Sequence, residues 1–518
     1  MPDTFDTDVL VIGAGPTGLT LACDLSRRLV TSRIIERDAE PSRASKAKRI
    51  QSRSLEVLDD LGAVGHVLAR GVAELPMRFH EPSGAVDKPS IGARADDAFR
   101  TPYPDALWIG QFDVETALRQ RLAELGGKVE FGTEAIGIEQ DDDGVTVTVR
   151  TRDDEKTLRA RYVVGADGGK SSTRKLSGIP LVGKTHDEQR WYLGDVTVAG
   201  LDRDHMHIWP SERGMLGLTP LPGTELWQFQ SPILPADEPG VPSLEFYQRL
   251  FDERAGSVQL TSATWLSVYQ VNVRMVEDYR KGRVLLAGDA AHVHSPAGGQ
   301  GMNTGIQDAY NLGWKITSAV DGARSALLDT YAAERMPVAR AVLASSTDKM
   351  TRTMAQASRG SEDGLGSALA DMVDSATTTG LGIHYRTSPM MYCDGEETDT
   401  GPKAGDRAPN VHGLNGGDLF SLLRGPRWSL ITWNHDEPVL LGNAKPTHLQ
   451  VLRIGSAPDS SIVDTSGEFP DVYRPRPGEL IMIRPDGHLV ARVAAEHESD
   501  LIAHLAPFRS SGTRVRPA

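Results

Sequence analysis

Three stretches of this chain place glycines and acids where a nucleotide could be held. The first is Gly13-Ala14-Gly15-Pro16-Thr17-Gly18, which follows the apolar run Val9-Leu10-Val11-Ile12 directly. In that setting the glycines have mechanical reasons. Gly13 permits a tight turn, Gly15 lets the backbone approach a pyrophosphate without a Cβ in the way, and Gly18 lets the next helix pack close to the strand. A helix from Pro16 to about Leu29 then turns its free N–H groups and positive dipole end toward the phosphates, with Pro16 and Thr17 at the contact. A second β-rich run, Arg33-Ile34-Ile35, ends at Glu36 and Arg37. A carboxylate there can accept hydrogen bonds from an adenosine ribose, which favours FAD or NAD over a 2′-phosphorylated ligand.

The second stretch, Tyr162-Val163-Val164-Gly165-Ala166-Asp167-Gly168-Gly169-Lys170-Ser171-Ser172-Thr173-Arg174, is again a strand leading to a turn and a helix start. The third is Arg283 to His292, with Gly288-Asp289 after a buried-strand pattern, continued by Ser295-Pro296-Ala297-Gly298-Gly299-Gln300-Gly301-Met302-Asn303-Thr304-Gly305. An acid at such a strand end can bind ribityl or ribose hydroxyls. The backbone N–H groups of a glycine-rich loop can approach the edge of a flavin ring.

Together these segments resemble the FAD fingerprint, the Asp-Gly motif and the Gly-Asp motif of the group A flavoprotein monooxygenases, the family of p-hydroxybenzoate hydroxylase, phenol hydroxylase and the aromatic polyketide hydroxylases. The resemblance spans residues 5 to about 400. It implies that Asp289 binds the ribityl chain, that Pro296 lies beside the isoalloxazine, and that Gly299, Gly301, Met302 and Asn303 reach its pyrimidine edge through backbone. It also implies that Asp167, Gly168, Ser171 and Arg174 support FAD and the approach of the reductant. Two smaller matches, Lys46 to Glu56 and the Gln111, Glu115, Leu118 helix, place Arg49 and Gln111 near the flavin. The family usually has glycine where the first helix ends, and this chain has Leu29. No second G-x-G-x-x-G follows a strand, so a separate NAD(P)H domain is disfavoured, and NADPH or NADH is expected to bind transiently.

These motifs need an α/β fold: a Rossmann-like FAD-binding domain (1–75, 106–180 and 276–320) interleaved with an antiparallel-sheet substrate domain (76–105 and 181–275). Strands are expected at Lys128 to Phe131, Ala135 to Glu139 and Val145 to Arg150, with a solvated turn at Asp141 to Gly144. Alternation such as Gly194 to Val198 and His205 to Trp209 suits the sheet. In the resembling family that sheet roofs the flavin, which makes Trp191, His207, Trp209, Trp227, Phe229 and Trp265 candidate substrate liners, although ordinary sheet core is the plainer reading of each. Helices follow from Thr304 to about Ser375 within a helical segment at 321–388, then a Gly/Pro/acid-rich linker at 389–408. The tail 409–518, with strand patterns at Trp428 to Trp433 and Leu480 to Ile483, resembles the thioredoxin-like α/β domain of the polyketide and phenol hydroxylase branches. It contains no cysteine, which excludes thiol chemistry there and leaves packing or homodimer contact as its role.

Composition removes several other classes. The net charge of −14 and the absence of a basic stripe argue against nucleic acid. Two cysteines, Cys23 and Cys393, far apart, give no disulfide framework or zinc site and fit a reducing cytoplasm. Cys23 reads as a small apolar helix residue. The acidic N-terminus lacks a secretory pattern, and no apolar run nears the roughly 20 residues needed to span a bilayer, so no membrane is expected. His205 with His207, and His292 with His294, lack a third spaced ligand for a metal. H-E-x-x-H, G-x-S-x-G and Walker A patterns are missing.

The expectation is therefore an FAD-dependent oxidoreductase of the antibiotic-biosynthesis type, hydroxylating a phenolic or polyketide-like aromatic with NAD(P)H and O2. The resemblance implies a flavin C4a-hydroperoxide that carries the hard step. Protein side chains would orient the ring, exclude water and help deprotonate a phenol, with no catalytic acid or base identified beyond Arg49 and Pro296 as nearest candidates. Two rivals stand beside it: a Baeyer–Villiger oxygenase or epoxidase on the same scaffold, and a flavin- or product-binding protein without turnover.

Overall fold

The computed structural model describes residues 5–90, 95–211, 214–234, 239–256, 258–293, 299–357, 375–395, 401–434, 449–457 and 460–508. The first apolar run forms β1 (Thr7–Ile12), buried on both faces. It is followed by α1 (Pro16–Arg27) and β2 (Ser32–Ile35). β1 lies between β2 on one side and β10 (Glu155–Gly165) on the other, both parallel to it. β17 (Val284–Leu286) extends the sheet beyond β10, and β7 (Val129–Glu130) beyond β2. The chain thus leaves β1 in one direction and returns on its other side, and the carboxyl end of β1 opens on the crevice where doubly wound sheets bind ligands.

Local differences from the sequence reading have packing causes. β10 begins seven residues before Tyr162 because its first half pairs antiparallel with β9 (Val145–Arg150), itself paired to β8 (Glu134–Gln140). The Asp141 turn closes that hairpin, its carboxylate accepting the N–H groups of Asp143 and Gly144. β7 keeps only two of the four residues expected. The long helical stretch divides into α6 (Gly301–Val320) and α7 (Ala326–Ala357).

α1 stops at Arg27, and Leu29 takes the left-handed conformation at φ 59 while 61% exposed. The Val30 N–H then reaches back to the Leu25 carbonyl at 3.0 Å. A leucine occupies the position that favours glycine, and the helix ends there regardless because the cap bond holds it. Leu29→Gly is expected to stabilise the chain by about 1 kcal/mol, read as a raised thermal midpoint. A lowered midpoint would contradict the strain argument.

The second sheet runs β18 (His292–Val293), β15 (Gln259–Val276), β11 (Leu181–Ala199), β14 (Trp227–Ile233), β13 (Leu216–Pro220), β12 (Met206–Trp209), β4 (Met77–Glu81), β5 (Gly84–Lys88). It is antiparallel except for the β12–β4 pair. Helix α5 (Leu244–Arg254) covers its outer face, where Tyr247, Leu250 and Phe251 pack with Tyr192, Val196, Leu218, Trp227 and Phe229.

The C-terminal sheet runs β19 (Tyr392–Cys393), β24 (Leu489–Ala494), β23 (Glu479–Ile483), β20 (Trp428–Trp433), β21 (Leu449–Gly455), β22 (Ile462–Val463), with α8 (Glu498–Leu505) following β24. β19 falls within the stretch expected to be a linker. It is instead an edge strand, because Tyr392 and Cys393 pair with Ala491 and Arg492. Cys23 is buried in α1, donates to the Leu118 carbonyl at 3.4 Å, and is pushed up to about 12 by burial, the state of an inert packing thiol. Among the described residues no helix is long and apolar enough to cross a membrane.

Candidate functional site

The three glycine-rich segments meet at the carboxyl ends of β1, β10 and β17. A Cβ on Gly18 would overlap the Gly13 carbonyl oxygen, and one on Gly13, which has φ 106, would overlap the Ala166 carbonyl of the second segment. Thr17 enters a notch made by Gly288 and Gly305 of the third, where a Cβ at Gly288 would lie 2.6 Å from its Oγ1. Gly15 is the opposite case: a Cβ there meets nothing within 4 Å. Two glycines let the backbones touch, while Gly15 keeps space in front of the helix N-terminus, where a pyrophosphate would lie.

Each segment's acid is placed differently. Glu36 accepts the N–H of Ala14 at 2.8 Å and of Asp38 at 3.1 Å, which fixes the carboxylate against the turn while it stays partly exposed, with lone pairs left for ribose hydroxyls. Arg37 points outward beside it, 55% exposed. Asp289 stands exposed after β17, as a ribityl ligand would require. Asp167 is taken up locally: it accepts Ser171 Oγ at 2.5 Å and both the N–H and Oγ1 of Thr173, at 2.9 and 3.0 Å, capping the helix Ser172–Leu176. Arg174 then donates to the carbonyls of Ala290 (2.9 Å) and Gly169 (3.0 Å), tying the second segment to the third.

The start of α6 meets β3 (Arg49–Ile50) and α2 (Ser52–Asp60) through Asn303. Its Oδ1 accepts the Gln51 N–H at 2.8 Å, and its Nδ2 donates to the Arg49 carbonyl at 3.2 Å and the Gly299 carbonyl at 2.9 Å. Gly299 has φ 62, Gly301 opens α6, and Met302 is buried beside Asn303. The Arg49 guanidinium stacks 3.9 Å from the Trp108 ring centroid and is lowered to about 10 by burial. The wholly buried Gln51 carboxamide meets no hydrogen-bond partner among the described residues, an unmet donor and acceptor that a flavin edge would suit. Gln111, at the head of α3 (Gln111–Glu124), donates its N–H to the Ala47 carbonyl and its side chain to Glu115, bracing the same segment. Pro296 lies outside the described residues.

Replacing Asn303 by Ala removes the acceptor of the buried Gln51 N–H and one donor to the Arg49 carbonyl. We expect a loss of about 1–3 kcal/mol, measured as a lowered denaturant midpoint. An unchanged midpoint would show that this clamp carries no weight.

The substrate candidates divide by strand parity. Trp209, Trp227 and Phe229 point to the outer face, where Trp209 meets Phe251 at 5.6 Å and Phe229 meets Tyr247 at 4.7 Å. His207 is buried among His80, Trp209 and Trp227, its Nδ1 2.8 Å from His80 Nε2. These four are core of the sheet and its helix, not lining of the crevice. Trp265 and Trp191 have the other parity: Trp265 registers with Asp195, and Trp191 packs with Tyr269, Val271 and Val273. β15 carries this face to the third segment, since its Arg274 and Met275 pair with Val293 and His292 of β18; burial, and secondarily Asp289, raise Tyr269.

The inner face also carries polar groups that the sequence reading passed over. Ser45 donates to Asp195, through its N–H at 2.7 Å and through its hydroxyl. Gln228 donates to the carbonyl and hydroxyl of Ser45. Burial raises the Asp195 carboxyl. Lys48 donates to Thr219 Oγ1 at 3.0 Å and Gln230 Oε1 at 3.1 Å. Beneath, Asp308 of α6 accepts His292 Nε2 (2.6 Å), the Gly288 N–H (3.1 Å) and Arg335 Nε (2.7 Å), holding the turn that presents Asp289. His294 lies outside the described residues, and among those described no group of three or more His, Cys, Asp or Glu could hold a metal.

The family model described as "FAD binding domain" matches residues 6–346. The chain is 32% identical to 6-methylpretetramide 4-monooxygenase of Streptomyces rimosus over 97% of this chain and 94% of that one. It is 33% identical to pentachlorophenol 4-monooxygenase of Sphingobium chlorophenolicum, covering 82% and 80%. Among solved structures, the flavin-dependent monooxygenase PieE in complex with FAD and substrate superposes with a TM-score of 0.84 at 25% identity, covering 98% of this chain and 99% of that one.

Proposed function

The chain belongs to the FAD binding domain family and is an FAD-dependent aromatic monooxygenase, and on that premise we propose that it hydroxylates a phenolic or polyketide-like aromatic, using O2 and either NADPH or NADH. The observation that carries this is the convergence of Gly15, Glu36, Asp289 and the Gly299–Asn303 turn on one crevice, roofed by a sheet face that mixes Trp191, Tyr269 and Trp265 with polar groups. FAD, when bound and reduced, supplies the activation of O2.

The protein's own residues do the rest. The α1 N-terminus and Gly15 receive the diphosphate, Glu36 the ribose, Asp289 the ribityl chain, and the backbone of Gly299 to Asn303 the ring edge. The two-sheet crevice excludes water, and Arg49 supplies positive charge at its wall. We read residues 1–75, 106–180 and 276–320 as the FAD-binding unit and 76–105 with 181–275 as the substrate unit. The C-terminal unit we read as thioredoxin-like, supported by its order of two parallel strands, then two antiparallel ones, then α8.

Purified protein should be yellow, release FAD on denaturation, and oxidise NAD(P)H faster with an added phenol, giving a product heavier by one oxygen on the ring. A flavin-free protein overturns the reading. Insertion of the oxygen between two carbons, or across a double bond, replaces hydroxylation with the rival chemistries.

A further inference from the structure

Lys48 is an amine short of an anion. It precedes β3 and reaches the inner face of the substrate sheet, where its two partners are the neutral oxygens of Thr219 on β13 and Gln230 on β14. Among the described residues no carboxylate lies within ion-pair distance of it. The charged groups that act on it are Arg49 beside it and, from β11, Asp195, whose carboxylate is already occupied by Ser45. Lys315 shows the contrast: fully buried where Lys48 keeps part of its surface open, it has Glu334 at 2.7 Å. Burial first, and Arg49 second, push Lys48 down to about 7. As a neutral amine Lys48 offers two N–H donors, both in use on Thr219 and Gln230, and keeps one lone pair that can take a proton. On the same face the buried Trp191 indole N–H has no acceptor among the described residues. Trp191 lies two residues along β11 from Leu193, which registers with Gln230.

We propose that Lys48 accepts the phenolic proton of the substrate and then holds the resulting phenolate against the inner face of the sheet. The proposal deepens the hydroxylase reading and rests on it. In the step, the phenol O–H bond breaks, its electron pair stays on oxygen, and a new N–H bond forms at Lys48 Nζ. No electron enters or leaves. The phenolate supplies the counter-charge that Lys48 lacks, and it makes the ring richer in electrons for the oxygen transfer that follows. Arg49 favours the same ionisation from the adjacent wall.

The test uses FAD-loaded enzyme and 2-naphthol, whose anion absorbs at longer wavelength, at a pH of about 8, between the value of Lys48 and the roughly 10 of a phenol. The parent enzyme should bind the naphtholate with no proton released to a pH indicator, since Lys48 takes it. K48M should bind neutral naphthol, with at least roughly a tenfold lower ionised fraction. Methionine keeps the stem volume and strands no carboxylate, since none among the described residues pairs with Lys48, so the variant should fold. K48R should bind naphtholate but release about one proton per ligand, because arginine cannot accept it. An equal naphtholate fraction in K48M, proton release from K48R matching the parent, or failure of the parent to bind naphtholate would each overturn the proposal. FAD content and flavin reduction by NAD(P)H in the same samples separate the two readings. Their loss defeats the hydroxylase assignment, while their retention with unmoved naphthol spectra defeats only the role of Lys48.

Discussion

A Gly15→Val chain is expected to fold as the parent does and to bind FAD at least roughly 100-fold more weakly, about 2.8 kcal/mol. Gly15 sits at φ −75, ψ −177, extended backbone that valine adopts without strain. Its Cβ would meet nothing within 4 Å among the described residues. The side chain would therefore cost the apoprotein little and would stand where the diphosphate must come close to the α1 N–H groups. The flanking glycines separate this effect from a folding defect, because a Cβ at Gly13 or Gly18 runs into backbone. Gly18→Ala should lower the thermal midpoint of the apoprotein, whereas Gly15→Val should leave it in place. Equilibrium binding by flavin fluorescence, with the apoprotein melt alongside, decides it. FAD affinity within a few-fold of the parent for Gly15→Val would mean that the diphosphate does not lie against this turn.

How far the sequence could be read follows from the range of its signals. The Gly13–Gly18 turn, the strands on either side of it and the acid at Glu36 are local patterns, with strand, turn and helix following within a few residues. The structure has them as expected, down to the crevice at the end of β1. The face of a strand is a different kind of information. In Trp227-Gln228-Phe229-Gln230 the alternation is plain, but nothing local says which phase meets the crevice. The aromatics of this phase are candidate liners with sheet core as the plainer reading, and the core reading is the one the structure has, since they pack on α5. Gln228 and Gln230 meet Ser45 and Lys48 from a segment about 180 residues away. The sharper rule is that large apolar residues follow the helix that buries them, so the polar phase marks the cleft. Lys48 lay inside a stretch already matched to the family, but its neutral surroundings are a tertiary fact. Likewise Leu29 ends α1 by a conformation that residue type alone argues against.

The C-terminal unit is joined to the flavin crevice by a buried charge network, and Glu334 is its centre. From α7 its carboxylate accepts Lys315 (2.7 Å) and Asn311 (2.7 Å) of α6, Ser388 (2.7 Å), and both terminal nitrogens of Arg484 (2.7 and 3.1 Å), just past β23. Arg484 also pairs with Asp486 at 2.6 Å, and Asp486 accepts the Trp314 indole N–H at 3.2 Å. The next residue on α7, Arg335, binds Asp308, which holds His292 and the Gly288 N–H. One turn of α7 therefore connects the C-terminal sheet to the loop that presents Asp289. Despite burial, its cationic partners, Arg484 first and Lys315 next, hold the Glu334 carboxyl down to about 2. Among the described residues, Glu334→Ala would leave Arg484 with Asp486 as its one carboxylate and Lys315 with no carboxylate in contact. Removing one partner of a buried ion pair costs about 3–5 kcal/mol, because the remaining charge stays desolvated. We expect the denaturant midpoint to fall accordingly and flavin release to move with it, since the loop and the C-terminal sheet share the network. Adding Lys315→Met should recover part of the loss by removing the stranded cation, while Arg484 keeps Asp486. A Glu334→Ala chain within about 1 kcal/mol of the parent would place these contacts with weakly contributing surface pairs and uncouple the C-terminal unit from the crevice.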